Sequence, residues 1–152
     1  MPKDKYEDSI LDGRYHLERL LDSGSFGAVY EGRDTKLGRV VAVKILFEKD
    51  ETAFRKEAKL AVQFDHPNVV KVFDYGADGN LGVGYIVMEF LKGCRLDQLT
   101  TRHLGRLSDT IIVRFVDQIG AALQLAHERN LIHRDLKPQN VMLVEEGTLQ
   151  ER

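Results

Sequence analysis

Alternating apolar and polar positions dominate the chain up to Leu91, and helical periodicity takes over from Ser108. Residues 15–21 (Tyr-His-Leu-Glu-Arg-Leu-Leu) and 28–32 (Ala-Val-Tyr-Glu-Gly) read as two strands around a turn, Asp22-Ser23-Gly24-Ser25-Phe26-Gly27. The turn Asp34-Thr35-Lys36-Leu37-Gly38 leads into a third strand, residues 39–46. Period two puts Ala42 and Lys44 on one face of it and Val41, Val43 and Ile45 on the other. Residues 69–75 and 83–91 are two more strands, joined by turn-forming Ala77-Asp78-Gly79-Asn80. Between the third and fourth strands, residues 50–64 predict a helix, with Asp50 as N-cap, Glu51 in the first turn, and Phe54, Ala58 and Ala61 as a stripe. Residues 96–107 predict a short helix and loop. Ser108 then caps a long helix to Arg129 that Asn130 ends. Its stripe is Ile112, Phe115, Val116, Ile119, Leu123 and Ala126, and Ile111 and Leu125 widen it. A helix apolar over so much of its circumference calls for neighbours on several sides. A short strand at 141–144 and a turn at 145–148 follow, while residues 1–13 read as a loose polar lead. The pattern predicts an α+β chain: a five-stranded antiparallel sheet with one helix, then a mainly helical segment from about residue 95.

With 152 residues, 43% hydrophobic and 30% charged, the chain fits one globular domain. Its net charge of −2, from 22 basic and 24 acidic residues, calls for neither nucleic acid nor a membrane surface as partner. No apolar run approaches the roughly 18 residues that a bilayer-spanning helix needs. The single cysteine, Cys94, excludes an internal disulfide and suits a reducing, cytoplasmic compartment. The five histidines are scattered and make no ligand pattern.

The chemistry concentrates in His133-Arg134-Asp135-Leu136-Lys137-Pro138-Gln139-Asn140. Taken singly, these residues suit a solvated loop between helix and strand. Taken together, His133, Arg134, Asp135, Lys137, Pro138 and Asn140 form a string whose chance occurrence is on the order of 10⁻⁸ per start position. Upstream, Gly24 and Gly27 lack a Cβ and suit a backbone that approaches phosphate oxygens closely, although a plain hairpin turn looks much the same. Lys44 on its strand could equally be an edge lysine in water.

These motifs jointly resemble the catalytic domain of eukaryotic-type protein kinases, by overall texture a bacterial one, and Lys137-Pro138 matches the serine/threonine form. The resemblance runs from about Arg14 to the end of the chain. It implies a small lobe over 14–87, a hinge over 88–93 and the start of a larger helical lobe over 94–152. It implies ATP with Mg2+ as cofactors and a protein serine or threonine hydroxyl as acceptor. Asp135 is the implied proton acceptor, Lys137 the positive charge beside the transferred phosphate, and Asn140 a magnesium ligand. The implied nucleotide contacts are Leu21, Gly24, Ser25, Phe26, Gly27 and Val29 around the glycine turn, then Ala42 and Lys44. Glu57 would pair with Lys44, and Met88, Glu89, Leu91 and Met142 would border adenine.

The family pattern is not matched throughout. Asp22 stands where the first glycine of Gly-x-Gly-x-x-Gly is usual, which predicts weaker nucleotide binding. No Asp-Phe-Gly follows Asn140, which leaves Asn140 as the one matched metal ligand, with Glu145 or Glu146 as stand-ins by nearness alone. The sequence therefore reads as a kinase domain truncated before that motif, and transfer by residues 1–152 alone is expected to be slow or absent. An inactive nucleotide-binding or interaction module is the alternative reading. Self-association, or pairing with a partner kinase, is expected through the apolar helix at 108–129.

Overall fold

A computed structural model describes residues 4–25, 27–47, 58–59, 62, 64–102, 108–133 and 135–144, with the backbone alone at 100–102. The chain divides into two compact units, one of residues 1–65 and 70–90, the other of residues 66–69 and 91–152.

The first unit is built on a six-stranded sheet. Its strands are β1 (Ile10–Leu11), β2 (Tyr15–Gly24), β3 (Gly27–Asp34), β4 (Arg39–Leu46), β5 (Val72–Asp78) and β6 (Val83–Glu89). They lie in the order β1-β2-β3-β4-β6-β5, and every neighbouring pair is antiparallel. One face of the sheet is the core, where Tyr15, Leu17, Ala28, Tyr30, Val41, Val43, Ile45, Val83, Tyr85 and Val87 are all buried. The alternation predicted for β4 is observed: Val41, Val43 and Ile45 face the core, and Lys44 lies half-buried on the other side.

Two expectations change. The sheet has six strands, not five, and the lead is packed over its described residues. Tyr6 and Leu11 join the core, and β1 pairs with the start of β2 through Ile10–His16 and Leu11–Tyr15. Tyr6 and Leu11 are five apart, a spacing that belongs to neither period, so the lead looked featureless. The strand expected at 69–75 instead starts at Val72. Around Pro67 the backbone turns: the Val69 N–H donates to His66 O at 3.0 Å and the Asn68 N–H to His66 Nδ1 at 3.1 Å. The strand then runs on to Asp78, so the turn shifts to residues 79–82.

The β3–β4 and β5–β6 turns share one construction. Asp34 accepts the N–H groups of Lys36 and Leu37 at 3.1 and 3.2 Å, and Asp78 accepts those of Asn80 and Leu81 at 2.9 Å each. Each turn closes on a glycine with positive φ, Gly38 at 68° and Gly82 at 65°. Asp34 is wholly buried and also receives two hydrogen bonds from the Arg14 guanidinium, at 3.0 and 2.8 Å. These donors hold its carboxyl below the ordinary aspartate range, the Arg14 bonds most of all.

The helix expected at 50–64 lies mostly outside the described residues. Within it Ala58, Lys59 and Val62 are helical, and Ala58 is buried.

The second unit contains a two-stranded antiparallel ribbon, β7 (Gly93–Arg95) with β8 (Met142–Val144). It also contains helices α1 (Leu96–Arg102) and α2 (Asp109–Glu128) and the 3-10 turn Pro138–Asn140. A Cβ at Gly93 would stand 1.9 Å from Leu143 O, so the ribbon needs glycine there. As the sequence predicts, Ser108 caps α2, its side chain accepting from the Ile111 N–H at 3.4 Å. The helix gives way at Arg129, and Asn130 takes the left-handed conformation, φ 57°. Ala122 is the one described residue of α2 that is buried; Ile111, Ile112, Val113 and Val116 are exposed. An open apolar groove of about 410 Å³ runs along this helix, lined by Leu96, Ile112, Phe115, Val116, Ile119 and Pro138 among others. Among the described residues no helix is long and apolar enough to cross a membrane.

Candidate functional site

The polar string that opens at His133 lies in the second unit, between the end of α2 and β8. Its central residue is Asp135. The Lys137 ammonium meets Asp135 Oδ2 at 2.9 Å, and Asn140 Nδ2 donates to the same oxygen at 2.9 Å and to the Asp135 carbonyl at 2.7 Å. Three of the six matched positions are therefore joined around one carboxylate. The backbone of Asp135 is fixed as well. Its N–H is shared between His133 O at 2.8 Å and His133 Nδ1 at 3.3 Å. His133, one of the six matched positions, thus fixes the backbone of Asp135.

Pro138 gives the local reason for this geometry. It opens the 3-10 turn, where its fixed φ fits and its missing N–H is not needed. The turn then brings Asn140 back toward Asp135: the Asn140 N–H donates to Lys137 O at 2.9 Å and the Val141 N–H to Pro138 O at 3.3 Å. Lys137 and Asn140 hold the Asp135 carboxyl below the ordinary aspartate range, with the Lys137 bond the larger cause. The carboxylate is exposed, so it is ionised, oriented and accessible.

In the first unit, the sheet face away from the core collects the residues that the resemblance assigns to nucleotide. Val29 on β3 pairs with Lys44 on β4, and Lys44 pairs with Ile86 on β6. One register step along, Ala42 pairs with Met88. Val29, Ala42, Lys44, Ile86 and Met88 thus form a contiguous patch on one face. No motif marks Ile86, yet it shares the parity of Met88 in β6, which the alternation of 83, 85 and 87 against 84, 86 and 88 encodes. Glu89 ends β6, its N–H donating to Lys71 O at 2.9 Å. Leu91 follows in the second unit, and Met142 lies in the ribbon opposite Arg95.

The glycine turn closes β2 on β3 with Gly24 opposite Gly27. The two glycines differ. A Cβ on Gly27 would stand 2.2 Å from Ile45 O, whereas one on Gly24 would meet nothing within 4 Å. Gly27 is needed by the sheet; Gly24 leaves open space beside the backbone. Asp22 pairs across from Val29, and its carboxylate accepts the Ser23 N–H at 3.0 Å. Leu21 is partly exposed beside it, and Ser25 lies in the turn itself. Phe26, Glu57, Arg134, Glu145 and Glu146 lie outside the described residues.

The sequence matches known proteins at the level of family. The family model described as protein kinase domain matches residues 15–150. The chain belongs to the protein kinase domain family. Its relatives include the serine/threonine-protein kinase PknA of Mycobacterium tuberculosis, 41% identical over 146 residues, which cover 90% of this chain and 34% of the relative. A probable serine/threonine-protein kinase of Streptomyces coelicolor is 40% identical over 150 residues, 93% of this chain and 22% of that protein. One of Clostridium acetobutylicum is 37% identical over 147 residues, 93% of this chain and 22% of that protein. The chain thus spans about a third or less of the length of these curated relatives.

A kinase site also calls for a divalent cation. Among the described residues no group of three or more His, Cys, Asp or Glu could hold a metal ion by itself. Magnesium rarely needs such a cage, because it keeps several waters and takes phosphate oxygens as ligands. Asn140 donates to Asp135 through Nδ2, so its Oδ1 is the atom suited to a hard cation, and the Asp135 carboxylate supplies negative charge beside it. This oxygen-only pair fits magnesium.

Proposed function

We propose that this chain provides the ATP-holding and proton-accepting parts of a serine/threonine protein kinase, which moves the γ-phosphoryl group of ATP to a hydroxyl of a protein. The observation that carries the reading is the Asp135 carboxylate, held at 2.9 Å by both Lys137 and Asn140. Asp135 orients the acceptor hydroxyl and takes its proton as the oxygen bonds to phosphorus, while the bond to the β–γ bridging oxygen breaks and ADP leaves. Lys137 offsets the charge of the phosphoryl oxygens in flight. Asn140 would hold magnesium, and the bound ion would supply positive charge to offset that of the phosphates.

In the first unit, Lys44 grips the α- and β-phosphates, with Glu57 as its expected partner. Val29, Ala42 and Met88 supply the apolar surface for adenine, with Leu21 as a further contact and the backbone of Glu89 as a polar one. Gly24, Ser25, Phe26 and Gly27 cover the phosphates. Their open backbone beside Gly24 supports that role. The cytoplasm, where ATP is abundant, is the fitting compartment.

Transfer of labelled γ-phosphate to a basic test protein checks the reading, with the Asp135→Asn variant beside the wild-type protein. Loss of the proton acceptor is expected to slow transfer by about 10²- to 10⁴-fold while ATP still binds. Wild-type transfer is itself expected to be slow; transfer above background that is equal in the two proteins would remove Asp135 from the chemistry.

A further inference from the structure

Residues 4–13 form a strap across the core sheet, and one of its side chains reaches the strand that carries the glycine turn. The strap is fastened at both ends by aspartates that receive hydroxyls of core tyrosines: Tyr30 donates to Asp4, and Tyr85 to Asp12. Burial and these carboxylates push both tyrosine hydroxyls well above their ordinary pKa. Tyr6 packs edge-on against Tyr30, with ring centroids 6.4 Å apart. In between, the Asp8 N–H donates to Leu17 O and the Leu17 N–H to Ser9 O, each at 2.9 Å.

Strand β2 is irregular where it leaves this frame. Its register against β3 shifts twice, between Leu17 and Arg19 and again between Leu20 and Asp22. Such bulges bend a strand and re-aim the residues beyond them, and the extra residue loses ladder partners. Leu20 lies between the two shifts, and its N–H donates to Glu7 Oε1 at 3.2 Å. Two residues further on begin Asp22, Ser23 and Gly24, the near side of the turn.

We propose that Glu7 is a positioning residue for the nucleotide: by holding the Leu20 N–H between the two bulges, it aims the Asp22–Gly27 turn. The proposal rests on the reading of that turn as a phosphate cover. Glu7 touches no reacting atom, and its effect passes through the strand. An acceptor is what the role requires, so glutamine should serve nearly as well as glutamate and leucine should not.

The test compares Glu7→Gln, Glu7→Leu and Tyr15→Phe in the full chain. Tyr15→Phe removes the 2.5 Å bond to Asp74 near the opposite end of β2 and controls for lost stability alone. Without nucleotide, amide hydrogen exchange at Leu20 and through residues 22–27 should quicken in Glu7→Leu and stay near wild type in the other two. The ATP dissociation constant should rise about three- to tenfold in Glu7→Leu, the equivalent of one ordinary hydrogen bond, with Glu7→Gln restoring it. Unchanged exchange at the turn in Glu7→Leu, or equal weakening of ATP in Tyr15→Phe, would overturn the proposal. Wild-type protein that fails to bind ATP would instead overturn the nucleotide reading, and the exchange data would still decide whether Glu7 sets the turn.

Discussion

Asp135 depends on two side chains that arrive from the same short turn. Its depressed pKa keeps it ionised to lower pH than an ordinary aspartate, so its bonds to Lys137 and Asn140 persist above that pKa and are lost as pH falls through it. Replacing Lys137 with methionine removes the larger cause. The Asp135 carboxyl should then titrate at higher pH, as a carbon-13 titration of the aspartate side chains would read, and the acid limb of any transfer activity should move up with it. An unchanged titration would mean that Asn140 alone sets the carboxyl. The glycines of the turn separate in the same way. Gly27→Ala places a methyl against Ile45 O and should destabilise the sheet by about 1–3 kcal/mol, whereas Gly24→Ala should stay within about 0.5 kcal/mol. Urea denaturation measures both. The cluster around Asp135 was legible in the sequence because its contacts are local: Asp135, Lys137 and Asn140 lie within one turn of chain. Gly27 was legible only as a flexible residue, since the carbonyl that demands it belongs to another strand.

Two turns of the sheet owe their shape to aspartates. Asp34 and Asp78 each cap a turn that finishes on a glycine with positive φ, so the two β-hairpins are held by the same device. Gly38→Ala and Gly82→Ala force an L residue into that conformation, and each should lower stability by about 1–2 kcal/mol. Equal thermal midpoints for wild type and variants would show that the turns relax to another shape. Sequence periodicity located β4 to the residue and placed both ends of α2, since alternation, a serine cap and a terminal asparagine are all local signals. It missed β1 and set β5 three residues early. The strap is held by partners far along the chain, as in the Asp12 N–H to Asp78 bond at 2.9 Å, and no short window of sequence contains both residues. The start of β5 was obscured because His66 and Pro67 hold a turn whose hydrogen bonds run through apolar Val69, which alternation alone assigns to the strand.

At the scale of the whole molecule the chain is two compact units with a division of chemistry between them. The sheet unit presents a patch of apolar residues around one lysine, and the helical unit presents an ionised carboxylate held by a lysine and an asparagine. On the proposed function both belong to a protein kinase site, and ATP is the ligand that the first unit should recognise by itself in large part through Lys44. The measurement that tests this most directly is a calorimetric titration of ATP with magnesium into the chain and its Lys44→Ala variant. Loss of a charge-assisted contact to phosphate should weaken binding by about tenfold or more, with circular dichroism unchanged. Equal affinity of the two proteins, or no binding by the well-folded wild type, would contradict the account.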